Sequence, residues 1–179
     1  MASFEFLAII LTGLGLSASI VYYATVIRNQ NKTRKTQLFM QLHQAKTDQK
    51  GLENVFMLMN LEWANFDDYM SKYGGLAGHH ETAAALESWL SYFDGLGILV
   101  KEGMIDLDMV YKVAFYRILF MWFKFETIID EFRKEPYGMP DYCQNFEYLA
   151  EKVMKIRRKK GLPLPYISEI HPTSKRYKE

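Results

Sequence analysis

A chain of 179 residues with a single cysteine has room for one membrane span and one modest domain, and it excludes an internal disulfide. Its net charge of +1 is segregated: residues 1–35 carry four basic side chains against one acidic, residues 36–154 ten against eighteen, and residues 155–179 eight against two. Five prolines, three of them at or after Pro163, leave a long stretch open to helix, while 15% aromatic residues and ten methionines supply apolar volume for a core.

From Phe6 to Ile27 there is no charged residue. As a helix this stretch rises about 33 Å, against a bilayer hydrocarbon core of roughly 30 Å. Ser17-Ala18-Ser19 imitates a signal-peptide cleavage site. The region before the run, however, carries Glu5 and no Lys or Arg, and the run continues past Ser19, so an anchor is the better reading. Arg28, Lys32, Arg34 and Lys35 follow at once. Basic residues stay on the cytoplasmic side, which places residues 1–5 outside, 6–27 across the inner cell membrane, and the rest in the cytosol. Tyr22 and Tyr23 fall near the inner boundary, where amphipathic rings are favoured. Gly13-x-x-x-Ser17 and Gly15-x-x-x-Ser19 have the small-residue spacing that lets another membrane helix approach, either a partner protein or a second copy.

Residues 28–46 contain no Pro or Gly and extend the helix as a stalk, with Leu38, Phe39, Leu42 and Ala45 as its apolar stripe. The cytosolic domain then occupies 47–160. A helix from Thr47, its cap, to about Trp63 buries Leu52, Val55, Phe56 and Met59. A short helix spans 66–72, and Tyr73-Gly74-Gly75 opens a loop to His80. A third helix, about 81–101, buries Leu86, Trp89, Leu90, Phe93, Gly97 and Val100. Asp106 caps the fourth, 107–134, whose Val110, Val113, Ala114, Ile118, Met121, Phe125, Ile128 and Phe132 make it the central element. The run Pro136–Pro140 is a turn, and a last helix, about 141–159, carries Phe146, Leu149, Val153 and Ile156. Residues 161–179 form a polar tail. The expected fold is all-α: one N-terminal transmembrane helix continuing into a cytosolic bundle of about four to five helices.

Chemistry is sparse. His79-His80-Glu81 has no second ligand pair at helical spacing and reads as a loop and helix start, with no metal. Gly95-Leu96-Gly97 lacks the strand and third glycine of a nucleotide fingerprint and reads as close helix packing. Glu126 and Asp130 share a helix face and read as a solvated edge. Asp94 and Arg117 each interrupt an apolar stripe and are expected to pair inside the bundle as a structural ion pair. Lys155, Arg157, Arg158, Lys159 and Lys160 form the strongest charge signal. They suit anionic lipid or a partner protein better than nucleic acid, since no aromatic interleaving accompanies them.

The residues Thr33-Arg34-Lys35-Thr36-Gln37-Leu38, Trp63 with Phe66-Asp67-Asp68-Tyr69, and Tyr92 through Val100 followed by Gly103-Met104-Ile105-Asp106 resemble a family of uncharacterised bacterial and archaeal proteins known only as a domain of unknown function. The resemblance covers most of residues 1–156 and implies one N-terminal span, a basic juxtamembrane stretch and a small helical domain. It implies no activity and no cofactor. Where that family carries Glu, this chain has Asp94. The function expected is a non-enzymatic, membrane-anchored interaction module, such as an accessory or structural subunit of a larger membrane complex. The alternative is an anchored sensor or effector in a stress or defence response, with a small-ligand pocket between helices.

Overall fold

A computed structural model describes residues 2–74 and 80–165 as six helices, with no strand among them. The chain divides into two compact units, residues 1–38 and residues 39 onward, and α1 (Ala2–Lys46) contributes to both. In the first unit α1 is long and apolar enough to cross a membrane. Leu11, Leu14, Leu16, Ile20, Val21 and Ile27 are all exposed along it. Three of its hydroxyls are satisfied within the helix: Ser17 donates to the Gly13 carbonyl at 2.9 Å, Ser19 to Gly15 at 2.8 Å and Thr25 to Val21 at 2.8 Å. Such back-bonding lets these groups sit in a hydrocarbon environment without water.

The second unit begins at Phe39, which is wholly buried. Thr47 does not cap the next helix; its hydroxyl donates to the His43 carbonyl at 2.8 Å and closes α1 instead. Asp48 is the cap of α2 (Gln49–Met59), accepting from the Gly51 amide at 2.8 Å. The turn is so tight that a Cβ at Gly51 would lie 2.0 Å from the Lys46 carbonyl oxygen, a position only glycine can hold. Asn65 caps α3 (Phe66–Tyr73) by accepting from the Asp68 amide, while Asp68 reaches back to accept from the Ala64 amide, each at 2.9 Å. This reciprocal pairing satisfies two donors at the helix start.

α4 (His80–Lys101) ends in a left-handed Gly103, with the Met104 amide on the Leu99 carbonyl and the Gly103 amide on Val100, the 6→1 and 5→2 pairing of a Schellman turn. Asp106 then caps α5 (Leu107–Phe132), as the sequence predicts. The connection to α6 (Gln144–Lys159) contains a cis Glu135–Pro136 bond and a left-handed Gly138. α6 starts at Gln144, three residues later than the sequence expectation, because residues 140–143 turn to bring Tyr142 and Cys143 inward.

α4 packs on α6 and α2, and α5 packs on α6 and α3. The core is aromatic. Phe93 stacks on Phe146 with ring centroids 4.9 Å apart, Trp122 meets Phe146 edge-on at 5.2 Å, and Trp63 stacks on Phe125 at 5.4 Å. Offset and edge contacts of this kind add to the burial term that drives collapse. A Cβ at Gly97 would sit 2.0 Å from the Asn145 carbonyl oxygen, so Gly97 sets the α4–α6 distance, whereas Gly95 has open space. Two apolar stripes differ from expectation. The buried face of α2 is Gly51, Val55 and Leu58; Leu52 and Met59 are half-buried, Met59 against the core, and Phe56 is 63% exposed. Val113 on α5 is also exposed, at 37%.

Candidate functional site

Asp94 and Lys124, polar side chains that penetrate the domain, hold helix ends. Asp94, about two-thirds of the way along α4, accepts from the Asn145 amide at 2.8 Å, the Phe146 amide at 3.0 Å and the Asn145 side-chain amide at 3.2 Å. It caps the N-terminus of α6 from another helix. The residue in the cap position itself, Cys143, is left-handed (φ 56°) and makes no side-chain cap bond. A carboxylate at that end also complements the helix dipole.

The expected Asp94–Arg117 ion pair is therefore a correction. The ion pairs among the described residues do not include it, and the Asp94 carboxylate is already engaged by backbone donors. Arg117 instead lines a cavity between α2 and α5.

Lys124 lies inside the most apolar helix and is 3% exposed. Its ammonium donates to the Met59 carbonyl at 2.5 Å and the Leu61 carbonyl at 2.8 Å, and sits 5.4 Å from the centre of the Trp63 ring. The Met59 carbonyl is one left open by the end of α2 and Leu61 lies just beyond it, so Lys124 caps α2 across the bundle. Burial pulls its pKa down to about 8, with the Glu62 carboxylate partly opposing. A signal was present in the sequence: a solitary Lys between Phe123 and Phe125.

Arg133 joins α5 to α6. Its Nε donates to the Tyr142 carbonyl at 2.9 Å and its Nη1 to Glu147 at 2.7 Å. The Tyr142 hydroxyl donates to Glu87 of α4 at 2.9 Å. Beside it, burial, and then the Asp94 and Glu87 carboxylates, push the Cys143 thiol up to about 12. That thiol stays protonated and unreactive at neutral pH. Glu126, read from sequence as a solvated edge, is 2% exposed and belongs to the interior; Asp130 lies 3.5 Å from Arg133.

The basic run is not one free patch. Lys155, Arg158, Lys159 and Lys160 are exposed, but Arg157 is half-buried, stacked 4.6 Å from the Phe115 ring centre and donating to the Pro163 carbonyl. Lys160 turns over the Tyr111 ring at 4.3 Å. Both return to α5 and fix the end of α6. Arg28, Lys32, Arg34 and Lys35 are exposed on α1. His79 and the tail from residue 166 lie outside the described residues. Among the described residues no group of three His, Cys, Asp or Glu side chains is placed to hold a metal.

Together these features define a class: an all-α protein with one N-terminal helix long and apolar enough to span a membrane, and a helical domain in which Asp94 and Lys124 close helix ends from neighbouring helices. The chain belongs to the DUF4760 family, a domain of unknown function whose family model matches residues 4–153. No curated protein and no solved structure matches it.

Proposed function

We propose that this protein is a single-pass, membrane-anchored, non-enzymatic interaction module. It joins a larger membrane assembly through its apolar helix and carries its helical domain on the cytosolic side as an accessory subunit. The observation that carries the reading is a pair of small-residue faces on nearly opposite sides of α1, Gly13 with Ser17 and Gly15 with Ser19. A Cβ at Gly13 or Gly15 meets nothing within 4 Å, and Ser17 and Ser19 turn their hydroxyls onto the glycine carbonyls. Each pair leaves a shallow, internally satisfied face open to another helix at close range. The four exposed cations that follow, Arg28, Lys32, Arg34 and Lys35, support the cytosolic placement and contact with anionic headgroups. The domain supports the reading in a second way: Asp94, Lys124 and Arg133 are engaged with helix ends and turns rather than converging on a reaction centre.

The test is purification of the full chain from its native membranes in mild detergent, with partners identified by mass spectrometry. A defined partner or a second copy is expected, and Gly13→Leu with Gly15→Leu should release it. A monodisperse monomer from native membranes argues against the reading. Intact-mass measurement checks the anchor, since loss of the first twenty or so residues would make α1 a cleaved leader. A C-terminal tag should resist protease in intact cells and become sensitive when they are opened.

A further inference from the structure

Four apolar residues outside the core of the domain, Leu52, Phe56, Val113 and Tyr116, lie together beside core-packed Val55, Met59 and Phe115. Leu52, Val55, Phe56 and Met59 of α2 face Val113, Phe115, Tyr116 and Arg117 of α5 across a cavity of about 340 Å³. Ligand pockets run from about 300 to 1,000 Å³ and combine apolar walls with a few placed polar groups, so this one suits a single small ligand and not a helix. Its mouth is open: Phe56, Tyr116 and Val113 are all exposed.

The charge at this cavity is unbalanced. Arg117 is half-buried, and no carboxylate pairs with it among the described residues. His43 of α1 and Tyr92 of α4, whose hydroxyl lies 3.5 Å from the His43 ring nitrogen, both feel its charge. Neither supplies a negative charge. Burial, and then Arg117 itself, hold the His43 pKa below its ordinary value, and burial holds the Tyr92 hydroxyl protonated up to about 12. A guanidinium partly withdrawn from water without a counter-charge is costly, and an anion supplied from outside relieves that cost. Its fork of N–H donors matches the oxygens of a carboxylate or phosphate.

We propose that the α2–α5 groove binds a single anionic amphiphile, its hydrocarbon chain between Phe56 and Tyr116 and its carboxylate or phosphate on Arg117. This site does not depend on the partner-binding reading of the membrane helix. Its ligand chemistry has two sources, a free fatty acid and an anionic bilayer lipid, and the test separates them.

The full chain is placed in phosphatidylcholine nanodiscs containing one of three diazirine-bearing probes: palmitic acid, phosphatidylglycerol or phosphatidylcholine. After photolysis, labelled peptides are mapped by mass spectrometry. Labelling of residues 52–59 and 113–117 by palmitic acid alone identifies a free amphiphile; labelling there by phosphatidylglycerol identifies a bilayer lipid. In either case Arg117→Gln and the groove-filling Val113→Trp should cut it at least five-fold, while Arg117→Lys retains most of it. Intrinsic tryptophan fluorescence confirms that each variant is folded. The proposal is overturned if labelling is confined to the span, if neutral phosphatidylcholine labels the groove equally well, or if folded Arg117→Gln labels like the parent.

Discussion

Replacing Asp94 with alanine removes the acceptor for two consecutive backbone amides at the start of α6, at 2.8 and 3.0 Å, and for the Asn145 side chain at 3.2 Å. Losing a helix cap costs about 0.5–2 kcal/mol. The Phe146 amide lies at the α4–α6 seam beside a wholly buried ring, and a donor stranded there costs roughly 1–3 kcal/mol more. The expected destabilisation is about 3 kcal/mol, which for a domain of this size lowers Tm by about 10 °C. Asp94→Asn keeps one acceptor oxygen and should lose about 1 kcal/mol. Arg117→Ala should cost less than about 1 kcal/mol, because no carboxylate is stranded by it. The two sites should be additive to within about 0.5 kcal/mol. All three tryptophans, Trp63, Trp89 and Trp122, are buried in the domain, so fluorescence-detected unfolding of the full chain in nanodiscs reports the domain and not the span. A coupling energy above about 1.5 kcal/mol between Asp94→Ala and Arg117→Ala would restore the ion pair and refute the cap.

The two glycines of α4 should part company. Gly97→Ala forces a methyl against the Asn145 carbonyl and should lose about 2 kcal/mol, whereas Gly95→Ala meets open space and should gain up to about 1 kcal/mol, both by thermal unfolding. Lys124 has a folded pKa of about 8 against an ordinary 10.5, so between those values the unfolded chain holds the extra proton and stability from this group rises with pH. The contribution is fully absent below about pH 8. Lys124→Met should remove up to about 2 kcal/mol of that pH-linked rise, seen as the difference in slope between parent and variant across pH 8–9.5; parallel slopes would contradict it. The Cys143 thiol should resist maleimide at pH 7.5 in the folded protein and react promptly in denaturant; rapid native labelling would show that the turn at 140–143 opens.

Helix positions were readable because caps and breakers are carried by residue types. Asp106 before α5, Gly103 after α4 and the apolar run of 6–27 are local facts. The faces were harder. On the eleven-residue α2 two stripes share Val55, and the choice between Leu58 and Phe56 is made by α4 and by the close approach of Gly51 to Lys46. The internal charges were noticed at Asp94 but assigned the wrong partner. A carboxylate interrupting an apolar stripe announces a need for donors, and those donors were main-chain amides, which no letter of the sequence marks. Lys124 was missed for the same reason, since its acceptors are the Met59 and Leu61 carbonyls. The groove at Arg117 lies where Phe56 and Val113, expected in the core, stand exposed side by side.

Because α4 closes the start of α6, and α5 closes the finish of α2, neither capped end can fray without first losing a neighbour. Amides at these two ends should therefore exchange with deuterium at rates close to those of the deepest core, and α2 and α6 should melt together with α4 and α5 in one cooperative step.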